Sequence, residues 1–280
     1  MKAYHENRSY NSTLPFTPML LRNFSFLAHW HNDLEFMYVA EGSIRAGVNS
    51  ESRLLRQGDM AISCSGDIHY YDSRGLESTI LIIVFNPRLI GYPGGWPQEV
   101  RLSSPFVESS GKPPESPEAL LSAAAHDRIT RMKLEAEERP PHYELLITGL
   151  LYELCGLILR SIGSKPAEPG RDRRLGTGLT AMQGALDYLE KHYSAPVTLD
   201  EAAREAGMSR FHFSRFFKNA TGLSFVSYLN HIRVNKAEEL ILHTNRTLTD
   251  IALECGFTNV RTFNRVFRQF RGQTPSSLRR

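Results

Sequence analysis

Cysteine is scarce in this chain: three in 280 residues, Cys64, Cys155 and Cys255, far apart and with no CxxC pair. An odd, dispersed set excludes a disulfide framework and a cysteine-ligated zinc finger, and it reads as reduced, mostly buried thiols. Neither Cys64 nor Cys255 has a basic neighbour in sequence to lower a thiol pKa, which argues against a sacrificial-thiolate repair protein. Long apolar runs are missing too. No stretch of about 18 apolar residues occurs, and MKAYHENRSYNSTLPF has no apolar segment after its charges. Neither a membrane span nor a secretory leader is expected, and a cytoplasmic location is. With 41 % hydrophobic and 22 % charged residues, the chain has enough apolar material for two ordinary globular domains.

Net charge is small, +3, but unevenly placed. Residues 171–280 hold 17 Lys+Arg against 10 Asp+Glu, or +7, while residues 1–170 hold 16 against 20, or −4. A basic C-terminal part suits a polyanion, although a solvated basic surface has the same composition.

From about Asn23 to Phe85, short alternating or apolar runs are broken by Gly42, Gly47, Gly58, Gly66 and Gly75, the rhythm of a small antiparallel barrel or sandwich. Asn86–Pro117, with GYPGGWP and GKPPESP, reads as a long loop or flap. Helical texture starts at Pro117 and resumes at PPHYELLITGLLYELCGLILRS, where Leu146, Leu150, Leu151, Leu154 and Ile158 form an apolar stripe for docking on the barrel or on a second copy. SIGSKPAEPGRDRRLGTG, residues 161–178, reads as a flexible charged linker. The expected division is therefore 1–165, a barrel with flanking helices, and 179–280.

The last hundred residues nearly repeat themselves. TLDEAAREAGMSRFHFSRFFKNATG from Thr198 aligns with TLTDIALECGFTNVRTFNRVFRQFRG from Thr247. Leu199/Leu248, Ala203/Ala252, Gly207/Gly256 and Ser209/Thr258 lie 49 apart, after which an added residue makes Phe213/Phe263, Arg215/Arg265, Phe217/Phe267 and Gly222/Gly272 lie 50 apart. Each copy reads as a short helix ended by glycine, then a second helix with Ser209 or Thr258 as its N-cap, which is helix-turn-helix grammar. In the second helices Phe213, Phe216, Phe217 and Ala220, and likewise Phe263, Val266, Phe267 and Phe270, share one face at helical spacing. The opposite faces carry Phe211, Ser214, Arg215 and Lys218, and Arg261, Asn264, Arg265 and Arg268. Such faces have the donors to read base edges in a major groove, or they are simply solvated. Ser224–Leu242 between the copies reads as one amphipathic helix. At 1.5 Å per residue it spans roughly 28 Å, against about 34 Å between successive major-groove faces of B-DNA.

GMSRFHFSRFFKNATG, SYLNHIRVNKAEELI and IALECGFTNVRTFNRVFRQFRGQTPSSLR together resemble the AraC/XylS family of bacterial transcription regulators over about the last 100 residues, with Leu278 where that family often has Tyr. The resemblance implies that Arg210, Phe211, Ser214 and Arg215 of the first reading helix, and Val260, Arg261, Thr262, Asn264 and Arg265 of the second, lie nearest the bases of a double-stranded operator. Phe211 would meet a thymine methyl, or else pack in the core.

Earlier in the chain, His29-Trp30-His31, three residues, Glu35, six residues and Gly42 resemble the first cupin motif. Gly58, five residues, Cys64-Ser65-Gly66, two residues and His69 resemble the second, with Cys64 in place of the usual Pro and Ser73 near the expected Asn. This implies an α+β multidomain protein: an N-terminal cupin-like β-barrel with helices, then an all-α domain of two helix-turn-helix units. It also fills the four family metal positions with His29, His31, Glu35 and His69. Those groups suit Zn, Ni, Fe or Mn. They also suit the polar groups of an organic effector such as a sugar or glycoside, the favoured reading, with Trp30, Phe36, Tyr38, Tyr70 and Tyr71 as aromatic walls, or they are merely hydrogen-bonded inside the barrel. The expectation is an effector-controlled, non-enzymatic regulator with no obligatory cofactor, homodimerisation and contact with RNA polymerase being left open. The alternative is a metal-dependent cupin enzyme or metal sensor fused to a DNA reader.

Overall fold

A computed structural model describes residues 14–91, 100–166 and 169–279. Residues 1–13, most of the stretch in which no leader is expected, and most of GYPGGWP lie outside the described residues. Strands β1 (Phe16–Arg22), β2 (Phe26–His29), β3 (Leu34–Val48), β4 (Glu51–Arg56), β5 (Met60–Ser63), β6 (His69–Asp72) and β7 (Ser78–Phe85) follow one another. Two short ones, β8 (Val100–Leu102) and β9 (Phe106–Val107), then lie in the stretch expected as a loop, where proline and glycine leave room only for edge strands. β1 precedes the segment in which strands were expected.

The 15-residue β3 organises the barrel. Its first half pairs with β7 and β5, its second half with β4 and β6, all antiparallel. A register shift between Val39 and Glu41, followed by Gly42 at φ +71°, bends it from one sheet into the other. A side chain at Gly42 would sit 2.0 Å from the Glu77 carbonyl oxygen. At Gly47 the missing side chain leaves space filled by the Tyr70 ring of β6.

Strand alternation divides the apolar residues between two faces. Met37, Val39, Ile44, Ala46 and Val48 join Ala61, Tyr71, Ile80, Ile82 and Val84 inside the barrel. Leu34, Phe36, Tyr38, Ile62, Leu81, Ile83 and Phe85 lie on the other face, beneath α1 (Pro117–Glu138) and α2 (Tyr143–Ile162). α1 begins with Pro117 in its first turn and Ser116 as its N-cap. The buried side of α2 consists of Ile147, Leu150, Leu151, Leu154, Cys155 and Ile158. Leu146, expected in that stripe, is half exposed, because Ile147 lies closer to the direction shared by Leu150, Leu154 and Ile158. α2 is long and apolar enough to cross a membrane by length and composition alone, which differs from the expectation of no such segment; its inward stripe is that of a helix docked on a protein core.

β10 (Ser164–Pro166) pairs with β8, and α3 (Pro169–His192) follows. Regular structure thus occupies most of the segment expected to be a flexible linker. The chain divides into two compact units, with the change at Leu179/Thr180.

The second unit contains the end of α3, where Met182, Ala185, Leu186 and Leu189 are buried, and then α4 (Leu199–Glu205), α5 (Arg210–Thr221), α6 (Phe225–His243), α7 (Leu248–Glu254) and α8 (Val260–Arg271). Thr198 caps α4 in a reciprocal capping box with Glu201, and Thr247 caps α7. After each, the chain turns at Gly207 (φ +62°) or Gly256 (φ +83°), and the next amide bonds back to Ala203 or Ala252. α6 is buried on more than one side. Phe225 and Tyr228 meet Phe217 of α5, while Val234, Ala237 and Ile241 join Phe263, Val266 and Phe267 of α8. Arg233 of α6 donates to the carbonyls of Tyr193 and Ala195, and Arg271 of α8 donates to Glu238 and Asn235 of α6. One central helix therefore fixes the two repeats to each other.

Candidate metal centre and candidate nucleic-acid interface

His29 ends β2, His31 follows it by two, Glu35 is the second residue of β3, and His69 opens β6 opposite His29. All four are buried, 2 % exposed or less, and their ligand atoms lie within 4.8 Å of one another. Each imidazole is oriented by its backbone. Nδ1 lies 2.9 Å from the Leu27 carbonyl in His29, 3.0 Å from that of Asp33 in His31 and 2.9 Å from that of Asp67 in His69. Carbonyls only accept, so each Nδ1 carries the hydrogen and donates it, and the neutral ring keeps its lone pair on Nε2. The Nε2 atoms of His31 and His69 then face Glu35 Oε2 at 3.3 and 3.6 Å. Two acceptors at that separation require a proton or a cation between them.

The electrostatics follow from this crowding. Burial, reinforced by His69 and His31, holds the His29 imidazole well below its ordinary range. Burial alone would raise Glu35, but His69 and the hydrogen bond from His31 hold its carboxyl well below the usual carboxylate range. For His69 burial is likewise outweighed, and Glu35 raises it. Tyr71, which donates to Glu35 Oε1 at 2.8 Å, is pushed well above the ordinary phenol by burial and by the Glu35 charge.

A divalent ion fits this set. Metal-bound imidazoles hold their other N–H on a carbonyl or carboxylate, as all three do here. Metal–donor bonds of about 2.1 Å place donor atoms roughly 3.4 to 4.2 Å apart, so the cluster needs only slight contraction. Among the residues expected to line an effector pocket, Tyr71 joins the cluster. Tyr38 does not: an odd number of residues from Glu35 along β3, it lies on the helix-covered face and stacks on His126 of α1 at 5.2 Å. Phe36 shares that face, Tyr70 covers Gly47, and Trp30 is only partly buried. Phe26, which sequence reasoning missed, lies against His29 with ring centroids 4.4 Å apart; its place three residues before the HxH pair was the available signal.

On α5 the residues Arg210, Phe211, Ser214, Arg215 and Lys218 are all exposed, and Phe211 at 81 % is not core. On α8 the exposed residues are Arg261, Asn264, Arg265 and Arg268, with Val260 and Thr262 half-buried and Val260 against the apolar core. Phe213, Phe217 and Ala220, and Phe263, Val266 and Phe267, are buried beneath. Arg210 pairs with Asp200 at 3.2 Å, both well exposed, which contributes little. Among the described residues Arg215, Lys218, Arg261, Arg265 and Arg268 have no ion-pair partner. Asn219 and Gln269, not singled out from sequence, are exposed one turn beyond Arg215 and Arg265.

The caps require a correction. Ser209 caps α5 as expected, but α8 is capped by Asn259, not Thr258; its side chain accepts from the Thr262 amide at 2.8 Å. The added residue of the second copy therefore lies in the turn, before the cap, and the two reading helices align throughout at an offset of 50. Cys155 and Cys255 are both pushed up to about 12 by burial, which leaves them as thiols.

A cupin domain profile matches residues 22–85 and a helix-turn-helix domain profile matches residues 202–280. An uncharacterized HTH-type transcriptional regulator of Staphylococcus aureus (strain MSSA476) is 37 % identical over 93 residues, 33 % of this chain but only 12 % of that protein, so the chain spans a small part of that relative. The HTH-type transcriptional activator RhaR of Escherichia coli O9:H4 (strain HS) is 24 % identical over 254 residues, 91 % of this chain and 87 % of RhaR. Unsaturated fatty acid bound ToxT from Vibrio cholerae strain SCE256 aligns over 96 % of each chain at 13 % identity with a TM-score of 0.46. The chain thus carries a cupin domain ahead of a helix-turn-helix domain, and in this it is similar to AraC-type transcription regulators.

Proposed function

We propose that the chain regulates transcription by binding double-stranded DNA through α5 and α8 under the control of a ligand held by its cupin domain. The observation that carries the reading is the pair of reading helices: buried on one side, aligned residue for residue, and presenting at the same stations arginines that have no ion-pair partner among the described residues. Arg215 and Arg265 have the length and the paired donors to reach guanine edges in a major groove, and Asn264 can bond adenine. Phe211 meets a thymine methyl. Lys218 and Arg268, one turn further on, contact phosphate, as do the remaining cations of these faces. A regulator of chromosomal DNA acts in the cytoplasm. Selection of bound fragments from a random DNA pool, followed by footprinting, tests the reading; two protected half-sites about one helical turn apart support it, and binding without sequence preference overturns it.

The buried cluster favours one occupant. His29, His31, Glu35 and His69 would hold a divalent metal, with Zn, Ni, Fe and Mn all compatible with the donors. Bound there, the metal would supply positive charge that fixes β2, β3 and β6 to one another. An organic effector, a sugar or glycoside included, reaches these side chains only if neighbouring side chains move, because the cluster is closed to solvent and the barrel interior is filled. Either ligand shifts the balance between two states of the protein only through a difference in affinity for them. Metal analysis of protein purified without an affinity metal tests this part.

A further inference from the structure

Glu35 is held from two sides. One oxygen, Oε2, faces His31 and His69, while the other, Oε1, accepts the phenol hydrogen of Tyr71 at 2.8 Å. Tyr71 stands two residues after His69 on β6, so alternation brings both onto the inner face, and its ring belongs to the filled barrel core. A carboxylate with both oxygens free can grip a cation through both. One whose second oxygen is engaged by a buried phenol offers only one.

We propose that Tyr71 sets the coordination number of the ion in the barrel by confining Glu35 to a single donor oxygen. This rests on the metal reading above. Three neutral imidazoles and one carboxylate oxygen make four single donors, the number preferred by zinc, whereas manganese favours more, and more oxygen-rich, coordination. Without the phenol, Oε1 becomes a buried acceptor lacking a donor, a state relieved when it turns to the ion. Tyr71 is thus a positioning residue that biases the site toward ions content with four ligands. Phenylalanine keeps the ring in the core and removes only the hydrogen-bonding group.

The test uses the full chain loaded with cobalt(II), whose visible absorption is intense in four-coordinate sites and weak at higher coordination. The parent should give the intense spectrum. Tyr71→Phe should give the weaker one and reduce the zinc-over-manganese preference in competition dialysis by about 10- to 100-fold, the range for loss of a group that orients a ligand. In a Glu35→Gln background, where the amide has one oxygen to offer, adding Tyr71→Phe should leave the spectrum unchanged. A higher-coordinate spectrum in the parent, or identical spectra and preferences in parent and Tyr71→Phe, overturns the role of Tyr71 while leaving the metal site standing. Failure of the parent to bind cobalt stoichiometrically overturns both. If Tyr71→Phe does not fold, Tyr71→Leu, which also lacks the hydroxyl, takes its place in the same two measurements.

Discussion

Arg215 of α5 and Arg265 of α8 occupy the same station: each is exposed, six residues beyond its N-cap, and without an acidic partner among the described residues. Arg215→Ala and Arg265→Ala should each weaken specific DNA binding by roughly 1 to 3 kcal/mol and leave thermal stability unchanged. Binding isotherms at one fixed salt concentration measure this, since phosphate contacts make affinity depend strongly on salt. Parent-like affinity in both variants would remove the reading helices from the account.

The two candidate caps of α8 give a cleaner stability test. Asn259→Ala should cost about 1 kcal/mol, because it removes the acceptor of the Thr262 amide. Thr258→Ala should be nearly neutral. Urea unfolding of the two variants in parallel checks the order, and a larger loss for Thr258→Ala would return the cap to that residue.

Gly207 and Gly256 end equivalent helices with positive φ, but their surroundings differ. A side chain at Gly256 would meet the Tyr193 and Ser194 carbonyl oxygens at 2.8 Å, whereas nothing lies within 4 Å at Gly207. Gly207→Ala should cost only the backbone strain, about 1 to 2 kcal/mol. Gly256→Ala should cost clearly more, as seen in melting temperature. Equal losses would mean that the 193–194 turn moves away freely.

Much of this architecture could be read from the residues because two signals are redundant. The duplication states the helix-turn-helix pattern twice, so Phe213/Phe263 and Phe217/Phe267 identify the buried face of both reading helices. The HxH and later His fall at strand ends, where alternation carries them inward. What was not legible depended on single-residue phase or on tertiary context. Tyr38 was misplaced because its strand face follows from that of Glu35, which only the paired register reveals. The α8 cap was displaced by one because the extra residue fits equally well on either side of Thr258 in sequence. Residues 169–178 read as a linker from their glycines and charges, yet Pro169 suits a first helical turn and isolated glycines cost a helix only about 1 kcal/mol each.

Acidity should separate metal-free from metal-loaded protein. Below the ordinary histidine value of 6.5, the unfolded chain takes up a proton at His29 that the folded chain refuses, so stability falls as pH falls. Above it, folded His69 keeps a proton that the unfolded chain has released, so stability falls as pH rises toward its raised folded value. Glu35, held low, adds stability present above the ordinary carboxylate range and lost on further acidification. Chelator-treated protein should therefore be most stable near pH 6.5. Metal competes with protons for the same nitrogens, so loading should move the optimum upward. Calorimetry across pH 5–9, with chelator and with zinc, reads both curves; superimposable curves would argue against a metal site.

The central claim is that two aligned helices read adjacent turns of one duplex. Footprinting of the full chain on a selected DNA fragment, repeated with Arg215→Ala and with Arg265→Ala, tests it most directly. Two protected half-sites on one face of the DNA about 10 base pairs apart are expected, with each substitution weakening protection at a different half-site. A single protected site, or uniform loss of both half-sites with either substitution, would contradict it.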